Sequence, residues 1–521
     1  MRHTRHRCRR TVATVAALAA GLLGAAVPTT ASAASAASAA SVATAASAAE
    51  PRGAVSVPLP PELEAVRAAE AEKLYGSPAE RPLAERRTGL ISLGDSEISG
   101  EGVGSYDPGT DGPPGNWCHR SPEAAIHRTG IAADETYNVA CSGAYTGNIR
   151  IGGGKQYADE LVQSDQLAIK ARNTRIKMIL LVAGANDDLQ FSPVMTDCVT
   201  RYVTLQGPCE QKYASGWQAR VDALVPKVEG TVRDLRTVMR DAGYADGDYQ
   251  LVVMGYPSPV GPDFRDNPNF PGKLACGGLG YDSDTAWGRN AAVPAFARGM
   301  REAARATGAV YLDNSRLFHG HEVCTENTWV RGLYIDVTRL PWDANSVRQS
   351  FHPNARGHAA FASCLTQLYG SGLREASCAD TASTGRPVLY AGAWDDLYRP
   401  LRNEATGGCA DVSGSVTRNG TEVVGWECHG GRNQGWWHDR ERGSLHTELS
   451  QDRCLDVPRA DYRAGAALIV WDCSGAGNQR FVRDGGTIRP ADARGLCVTH
   501  ASAREALRLQ PCSGAASQRF A

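Results

Sequence analysis

Between residues 88 and 378, short apolar runs alternate with longer amphipathic stretches. Met178-Ile179-Leu180-Leu181-Val182-Ala183 and Gln250-Leu251-Val252-Val253-Met254 read as buried parallel strands, and Gly89-Leu90-Ile91-Ser92 as another short buried strand. Residues 221–242 and 293–307 read as helices between strands. The alternation predicts a doubly wound α/β domain with helices on both faces. Near 379–386 the texture turns to Ser, Thr, Gly and Pro, then to short strands and many turns. That last segment repeats itself. Cys409-Ala410-Asp411-Val412, Trp426-Glu427-Cys428 and Asn433-Gln434-Gly435-Trp436 recur as Cys454-Leu455-Asp456-Val457, Trp471-Asp472-Cys473 and Asn478-Gln479-Arg480-Phe481. A third copy runs Cys497-Val498-Thr499, Gln510-Pro511-Cys512 and Ser517-Gln518-Arg519-Phe520. A period of roughly 40 residues means three units sharing one core.

The first residues have a different character. Arg2, Arg5, Arg7, Arg9 and Arg10 precede an apolar stretch over 11–26, and Ala31-Ser32-Ala33 is the first of several small-residue cleavage options. This reads as an export signal over 1–33, too short for a comfortable transmembrane helix. An Ala/Ser tract follows, too poor in large apolar groups to fold. Residues 61–75 could form a helix opened by proline and stopped by Gly76, but with an incomplete apolar stripe. The expected division is therefore signal 1–33, leader or linker 34–87, α/β domain 88–378, linker 379–386 and repeat domain 387–521.

A formal charge of −1 over 521 residues offers no reason to expect nucleic acid or an anionic membrane surface as partner. Of the 15 cysteines, Cys8 would leave with the signal. The remaining even number in an exported protein favours disulfides, and no spacing suits zinc. The expectation is a secreted, extracellular protein with no stable membrane anchor, no cofactor and no metal, acting as a monomer.

The strand over 89–92 ends in Leu93-Gly94-Asp95-Ser96 and leads into the loop Ile98-Ser99-Gly100-Glu101-Gly102. That places a serine hydroxyl at the carboxyl end of a sheet, where open α/β sheets keep their chemistry. One Gly-Asp-Ser is often a mere turn. Its weight comes from three companions. Gly143 can present a close backbone N–H, Asn186 follows the 178–183 strand and can add an amide donor, and His352 is a candidate base. An ester-cleaving serine needs such a base and such donors around the developing oxyanion.

At these residues the chain resembles the SGNH (GDSL-type) hydrolase family, whose blocks supply Ser, Gly, Asn and His in this order. It looks similar to the secreted bacterial lipases, phospholipases and esterases in which a Gly-Asp-Ser-x-x-Ser-Gly-Glu-Gly loop is followed by Cys-His-Arg-Ser, here Cys118-His119-Arg120-Ser121. The resemblance implies a three-layer α/β/α flavodoxin-like sheet and a Ser–His mechanism. Ser96 is then the nucleophile, His352 the base, and Ser96, Gly143 and Asn186 the oxyanion hole. One departure stands out. The family usually carries an aspartate three residues before the histidine, and here that residue is Gln349. A backbone carbonyl near Gln349 could take the imidazole N–H, giving a dyad, or Asp343 or Asp336 could reach in. Asp95 is expected to orient the nucleophile loop, His119 and Arg120 to shape the rim or pair structurally, His358 to be structural, and Asp187 and Asp188 to be solvated. Loops over 102–115 and 263–284 are expected to wall the pocket. The resemblance also implies bridges Cys118–Cys141, Cys198–Cys209, Cys276–Cys324 and Cys364–Cys378.

The repeats resemble the ricin-B-type β-trefoil lectin family, with Gln-x-Trp/Phe marks at Gln434/Trp436, Gln479/Phe481 and Gln518/Phe520. By position the first repeat offers Asp411, Trp426, His429, Asn433 and Gln434 to a sugar, and the second Asp456, Trp471, Asn478 and Gln479. The third departs at Thr499, Gln510 and Ser517 and is expected to be inactive. Trp436, Phe481 and Phe520 are expected in the core. Bridges Cys409–Cys428, Cys454–Cys473 and Cys497–Cys512 are implied within the repeats. The combined expectation is a serine esterase with a carbohydrate-binding module, acting on a glycan-borne or lipid-borne ester. The alternatives are a lipase or phospholipase, or a lectin whose hydrolase domain is idle.

Overall fold

The computed structural model describes residues 56–261, 275–336, 344–381 and 384–521. Seven strands form the first sheet: β1 (Thr88–Gly94), β2 (Glu135–Asn138), β3 (Arg175–Val182), β4 (Gln250–Met254), β5 (Val310–Asp313), β6 (Glu375–Ala379) and β7 (Val388–Ala391), in the order β2-β1-β3-β4-β5-β6-β7. The first six pair in parallel and β7 is antiparallel to β6. The central strands are buried on both faces, which is why Ile176, Met178, Ile179, Leu180, Leu181 and Val182 are apolar on both sides of the pleat.

Helices α1 (Pro61–Tyr75), α3 (Gln163–Asn173), α5 (Trp217–Asp241) and α6 (Val293–Thr307) pack in series, and α7 (Ala355–Leu368) packs with the turn over 125–128. The short α2 (Ser96–Ser99) follows β1, and α4 (Phe191–Val203) lies between β3 and β4. In α5, Val221, Leu224, Val225, Val228, Val232, Leu235 and Met239 recur at helical spacing and are buried. Gly299 of α6 meets it closely, since a Cβ there would lie 2.6 Å from Val221 Cγ1.

Two boundary expectations change. Residues 61–75, read as part of a leader, form a helix docked on α3. Its stripe is incomplete because polar pairs hold it: Arg67 is buried and donates to Asn173 Oδ1 at 3.3 Å, Asn173 returns an N–H to the Arg67 carbonyl at 2.9 Å, and Glu70 pairs with Lys170 at 2.7 Å. Residues 34–55 lie outside the described residues. Strand β7, read as part of the repeat domain, closes the first sheet, because Val388-Leu389-Tyr390 is strand-like without saying which sheet it joins.

The C-terminal region is all antiparallel. A seven-stranded sheet and two hairpins surround a core that contains Val412, Val423, Trp436, Leu455, Val470, Phe481, Ile488, Val498, Leu509 and Phe520. The repeat is visible in hydrogen bonds. Gln434, Gln479 and Gln518 each donate to the carbonyl of the residue before the second cysteine of their repeat and accept the N–H of the residue after it. Seven disulfides join the pairs implied by the two resemblances.

The two regions are packed together. Tyr390, Trp394, Tyr398 and Trp437 form an aromatic cluster across the junction. Tyr390 and Thr381 hydroxyls donate to Asp439 at 2.9 and 2.8 Å, and Asp380 accepts from His321 at 3.0 Å and Arg442 at 3.3 Å. Burial opposes ionisation of Asp380, yet the His321 bond and those from Thr384 and Gly385 hold its carboxyl at about 2. Deeper in, the fully buried Arg289 guanidinium donates to Glu322 at 3.0 Å and across to Ser450 at 2.9 Å, and lies 3.5 Å from Asp452.

Candidate active site

Strand β1 ends at Gly94, whose φ of 144° and approach to Val182 leave no room for a side chain: a Cβ would lie 1.9 Å from the Val182 carbonyl oxygen. The chain then turns into α2 with Asp95 as its N-cap, accepting the Glu97 N–H at 3.1 Å. Tyr256, at the end of β4, donates its hydroxyl to the other Asp95 oxygen at 2.6 Å. Burial pushes the Asp95 carboxyl up to about 7 against those bonds, and lifts the neighbouring Glu97 as well. Asp95 therefore orients the nucleophile loop, with Tyr256 as a partner that the sequence did not disclose.

Ser96 Oγ lies 2.8 Å from His352 Nε2. The imidazole Nδ1 is 2.9 Å from the Ser350 carbonyl oxygen. With Nδ1–H donated there, Nε2 is left to accept the serine proton. The carbonyl contemplated near Gln349 is thus that of Ser350. Asp343 lies outside the described residues. Phe351 sits at φ 61°, in the left-handed region that a bulky residue rarely occupies, and its N–H reaches the Arg331 carbonyl while Arg331 N–H reaches that of His352, both at 2.9 Å. This two-bond clamp sets the histidine's direction. Burial pulls the His352 pKa below the ordinary imidazole value and Arg348 adds to this, while Glu101 and the Ser350 carbonyl pull it back up.

Gly143 has φ 81° and lines the same cleft. Gln156 Nε2 donates to the Ser142 carbonyl at 2.7 Å. In a planar trans peptide the N–H points opposite to the C=O, so this bond aims the Gly143 N–H away from Gln156. Among the described residues neither that N–H nor that of Ser96 finds an acceptor. Asn186 spends one amide N–H on the Ala144 carbonyl at 2.9 Å and keeps the other. The Cys118–Cys141 bridge joins the arms, with Cys141 N–H on the Gly94 carbonyl at 3.1 Å and Ser142 N–H on that of Cys118 at 3.0 Å. Ser96, Gly143, Asn186 and His352 thus share one cleft of about 890 Å³.

The cleft walls differ from expectation. They come from α4 (Phe191, Met195, Val199), from Pro257, Val293, Phe296 and Phe318, and from Leu333, Ile335 and Phe351. The 102–115 loop instead packs behind the histidine, where a Cβ on Gly102 would lie 3.0 Å from His352 Cβ. Residues 263–274 lie outside the described residues. Other side chains fall elsewhere. Arg120 pairs with both Glu160 oxygens at 2.8 Å, and His358 is buried on α7 with its pKa lowered to about 3 by burial. Asp187 is not solvated but accepts the Thr146 hydroxyl at 2.6 Å and N–H at 3.0 Å, and Asp188 pairs with Lys227 at 2.8 Å.

In the trefoil, Asp411 is buried and one of its oxygens accepts Asn433 at 2.8 Å and Gln434 at 2.9 Å, with His429 Nε2 at 3.4 Å. Trp426 is 38% exposed and carries the Arg504 guanidinium 5.0 Å from its ring. The second repeat places Asp456, Asn478 and Gln479 alike, both bonds at 2.9 Å, with Trp471 44% exposed. In each repeat the partly exposed indole lies on the strand paired with the one that carries the carboxylate. In the third repeat the partner of Gln518 is the Thr499 hydroxyl at 3.2 Å, which has no charge.

Comparison with known proteins agrees with these two regions. Residues 92–360 match the GDSL-like Lipase/Acylhydrolase family and residues 398–520 the Ricin-type beta-trefoil lectin domain. "Lipase 2" of Streptomyces coelicolor is 26% identical over 292 residues, covering 54% of this chain and 85% of that protein. A "Lipase" of Streptomyces rimosus is 26% identical over 281 residues, covering 52% and 83% respectively. Among solved structures, phospholipase A1 from Streptomyces albidoflavus NA297 is 24% identical with a TM-score of 0.38, covering 55% of this chain and 99% of that one. With a family match over half its length, the chain belongs to the GDSL-like lipase/acylhydrolase family and is a carboxylic ester hydrolase carrying a ricin-type lectin domain.

Proposed function

We propose that this is a secreted Ser–His esterase acting on esters of medium or long acyl chains, held to glycan-bearing material by its trefoil. The observation that carries the reading is the 2.8 Å contact of His352 Nε2 with Ser96 Oγ inside a large, mainly apolar cleft. Ser96 Oγ attacks the ester carbonyl as His352 takes its proton. The oxyanion receives the N–H groups of Ser96 and Gly143 and the spare Asn186 N–H. Collapse expels the alcohol, which takes the proton from His352, and water repeats the sequence to release the acid and free Ser96.

The walls of Phe191, Met195, Val199, Phe296 and Phe351 favour an acyl chain over the acetyl group of a decorated polysaccharide. Each buried methylene contributes ~0.8 kcal/mol, about fourfold in kcat/KM. Rates on p-nitrophenyl esters are therefore expected to climb from acetate through the medium chains, and a profile that peaks at acetate would replace this reading with a glycan esterase. Seven disulfides support an extracellular setting. Asp411, Trp426, His429, Asn433 and Gln434 and their second-repeat counterparts are the proposed sugar contacts. Asp411→Ala with Asp456→Ala is expected to remove glycan-array binding while soluble-ester turnover stays unchanged.

Gln156 is assigned to aiming the Gly143 N–H. Gln156→Leu is expected to lower kcat by roughly tenfold at little-changed KM. An unaltered kcat in steady-state kinetics would mean that the peptide is held by other bonds.

A further inference from the structure

Among the described residues no carboxylate bonds to His352, yet a buried carboxylate stands behind the loop on which that histidine rests. Glu101 is fully buried. One of its oxygens accepts the Ser142 hydroxyl at 2.7 Å and lies 2.6 Å from His119 Nδ1, and the other accepts the Tyr106 hydroxyl at 3.4 Å. Tyr106 stacks on His119 with ring centroids 4.2 Å apart. The next residue, Gly102, packs on the His352 backbone and side chain so closely that a Cβ would lie 3.0 Å from His352 Cβ and 2.6 Å from the Pro353 carbonyl oxygen. Arg331 locks this contact, with its side chain on the Gly102 and Val103 carbonyls and its N–H on that of His352. Ser142, the other end of the network, precedes Gly143.

We propose that Glu101 is a positioning residue of the dyad: a remote carboxylate that stabilises the His352 imidazolium across the packed 101–102 turn and, through Ser142, steadies the Gly143 peptide. This rests on the Ser96–His352 reading. Ser142 and Tyr106 donate to different Glu101 oxygens, so both oxygens are held as acceptors, and the buried negative charge, kept at a desolvation cost, is little screened by salt. Burial pushes the Glu101 carboxyl up, but His119, His352 and Ser142 bring it below its ordinary value. The charged or titratable groups around His352 are Glu101 from the loop after Ser96, Glu97 of α2 and Tyr256 after β4 in the same cleft, Arg331 on the packed turn, Arg348 from its own segment and His358 from α7. Of these, Glu101 raises the His352 pKa and Arg348 lowers it.

The test uses the full chain and a soluble p-nitrophenyl ester, with kcat and KM followed across pH for wild type, Glu101→Gln, Glu101→Asp and Arg348→Met. For Glu101→Gln the expected result is a kcat roughly tenfold lower with KM little changed, and an acid limb of kcat/KM displaced downward by about one pH unit. Glu101→Asp is expected to keep the wild-type limb, and Arg348→Met to move it upward. An acid limb that stays in place in Glu101→Gln overturns the inference, whatever happens to kcat. Should Glu101→Gln fail to fold, Ser142→Ala takes its place. It strips a donor from the same carboxylate, leaves more of its charge uncompensated and is expected to raise the limb, so an unmoved limb overturns the inference there too. Fluorophosphonate labelling of Ser96 separates the layers. A labelled Ser96 with an unmoved limb removes Glu101 alone, whereas undiminished activity in Ser96→Ala removes the dyad and this inference with it.

Discussion

Alanine at Ser96 is expected to lower kcat on a soluble ester by about 10⁴-fold or more, alanine at His352 to do nearly as much, and the double variant to be no worse than either. The non-additivity is the informative part. Ser96 Oγ and His352 Nε2 share one proton across 2.8 Å, so removing either end removes the whole transfer. What survives is the rate due to binding and the backbone donors, which neither substitution touches. Both variants are expected to fold and to keep glycan binding, because the Ser96 hydroxyl holds no neighbour besides His352 among the described residues. Steady-state kinetics with active-site titration checks this. Losses that multiply in the double variant would mean that the two groups serve separate steps.

Arginine 289 carries the second large effect. Its guanidinium is fully buried between the domains, with Glu322 at 3.0 Å, Ser450 at 2.9 Å and Asp452 at 3.5 Å. Burial pushes the Glu322 carboxyl up, whereas the Arg289 charge helps to hold Asp452 far below the usual range against its own burial. Arg289→Met leaves two carboxylates without their shared cation, which costs about 3–5 kcal/mol. Calorimetry is expected to show a drop of about 10 °C in the transition. Replacing all three charges together, as Arg289→Met with Glu322→Gln and Asp452→Asn, is expected to recover most of the loss, since a neutral set needs no partner. A single variant that melts with the wild type would show that this ion cluster does not hold the domains together.

This packed junction departs from the reading of residues 379–386 as a linker. Residues 379–386 read as a linker from their Ser, Thr, Gly and Pro, yet Asp380 and Thr381 bond to both domains, because short polar side chains suit a buried network as well as a solvated loop. Strands β1, β3 and β4 were legible because burial on both faces writes an unbroken apolar run, whereas the half-buried β2 (Glu135–Asn138) and the short β5 and β6 were not read. Helix α1 was legible from its opening proline and its Gly76 stop, but its docking was not, since that depends on Arg67 and Glu70, whose letters also suit solvent. At the site, Ser96, Gly143, Asn186 and His352 sit in short local motifs, and the structure brings them into one cleft. Glu101 lay within a quoted motif, but its role needs the third dimension: its partners Ser142 and His119 are 41 and 18 residues away. Gln156 and Tyr256 left no local signal. The cleft walls were misplaced because α4 is an amphipathic helix with little to mark which side faces substrate.

The most direct test of the central claim is to treat the purified full chain with a limiting fluorophosphonate, then follow the residual ester hydrolysis and the modified peptide by mass spectrometry. The account predicts one adduct, on Ser96, with activity falling in proportion to its occupancy and no adduct in His352→Ala. Hydrolysis that persists with Ser96 fully modified would contradict it.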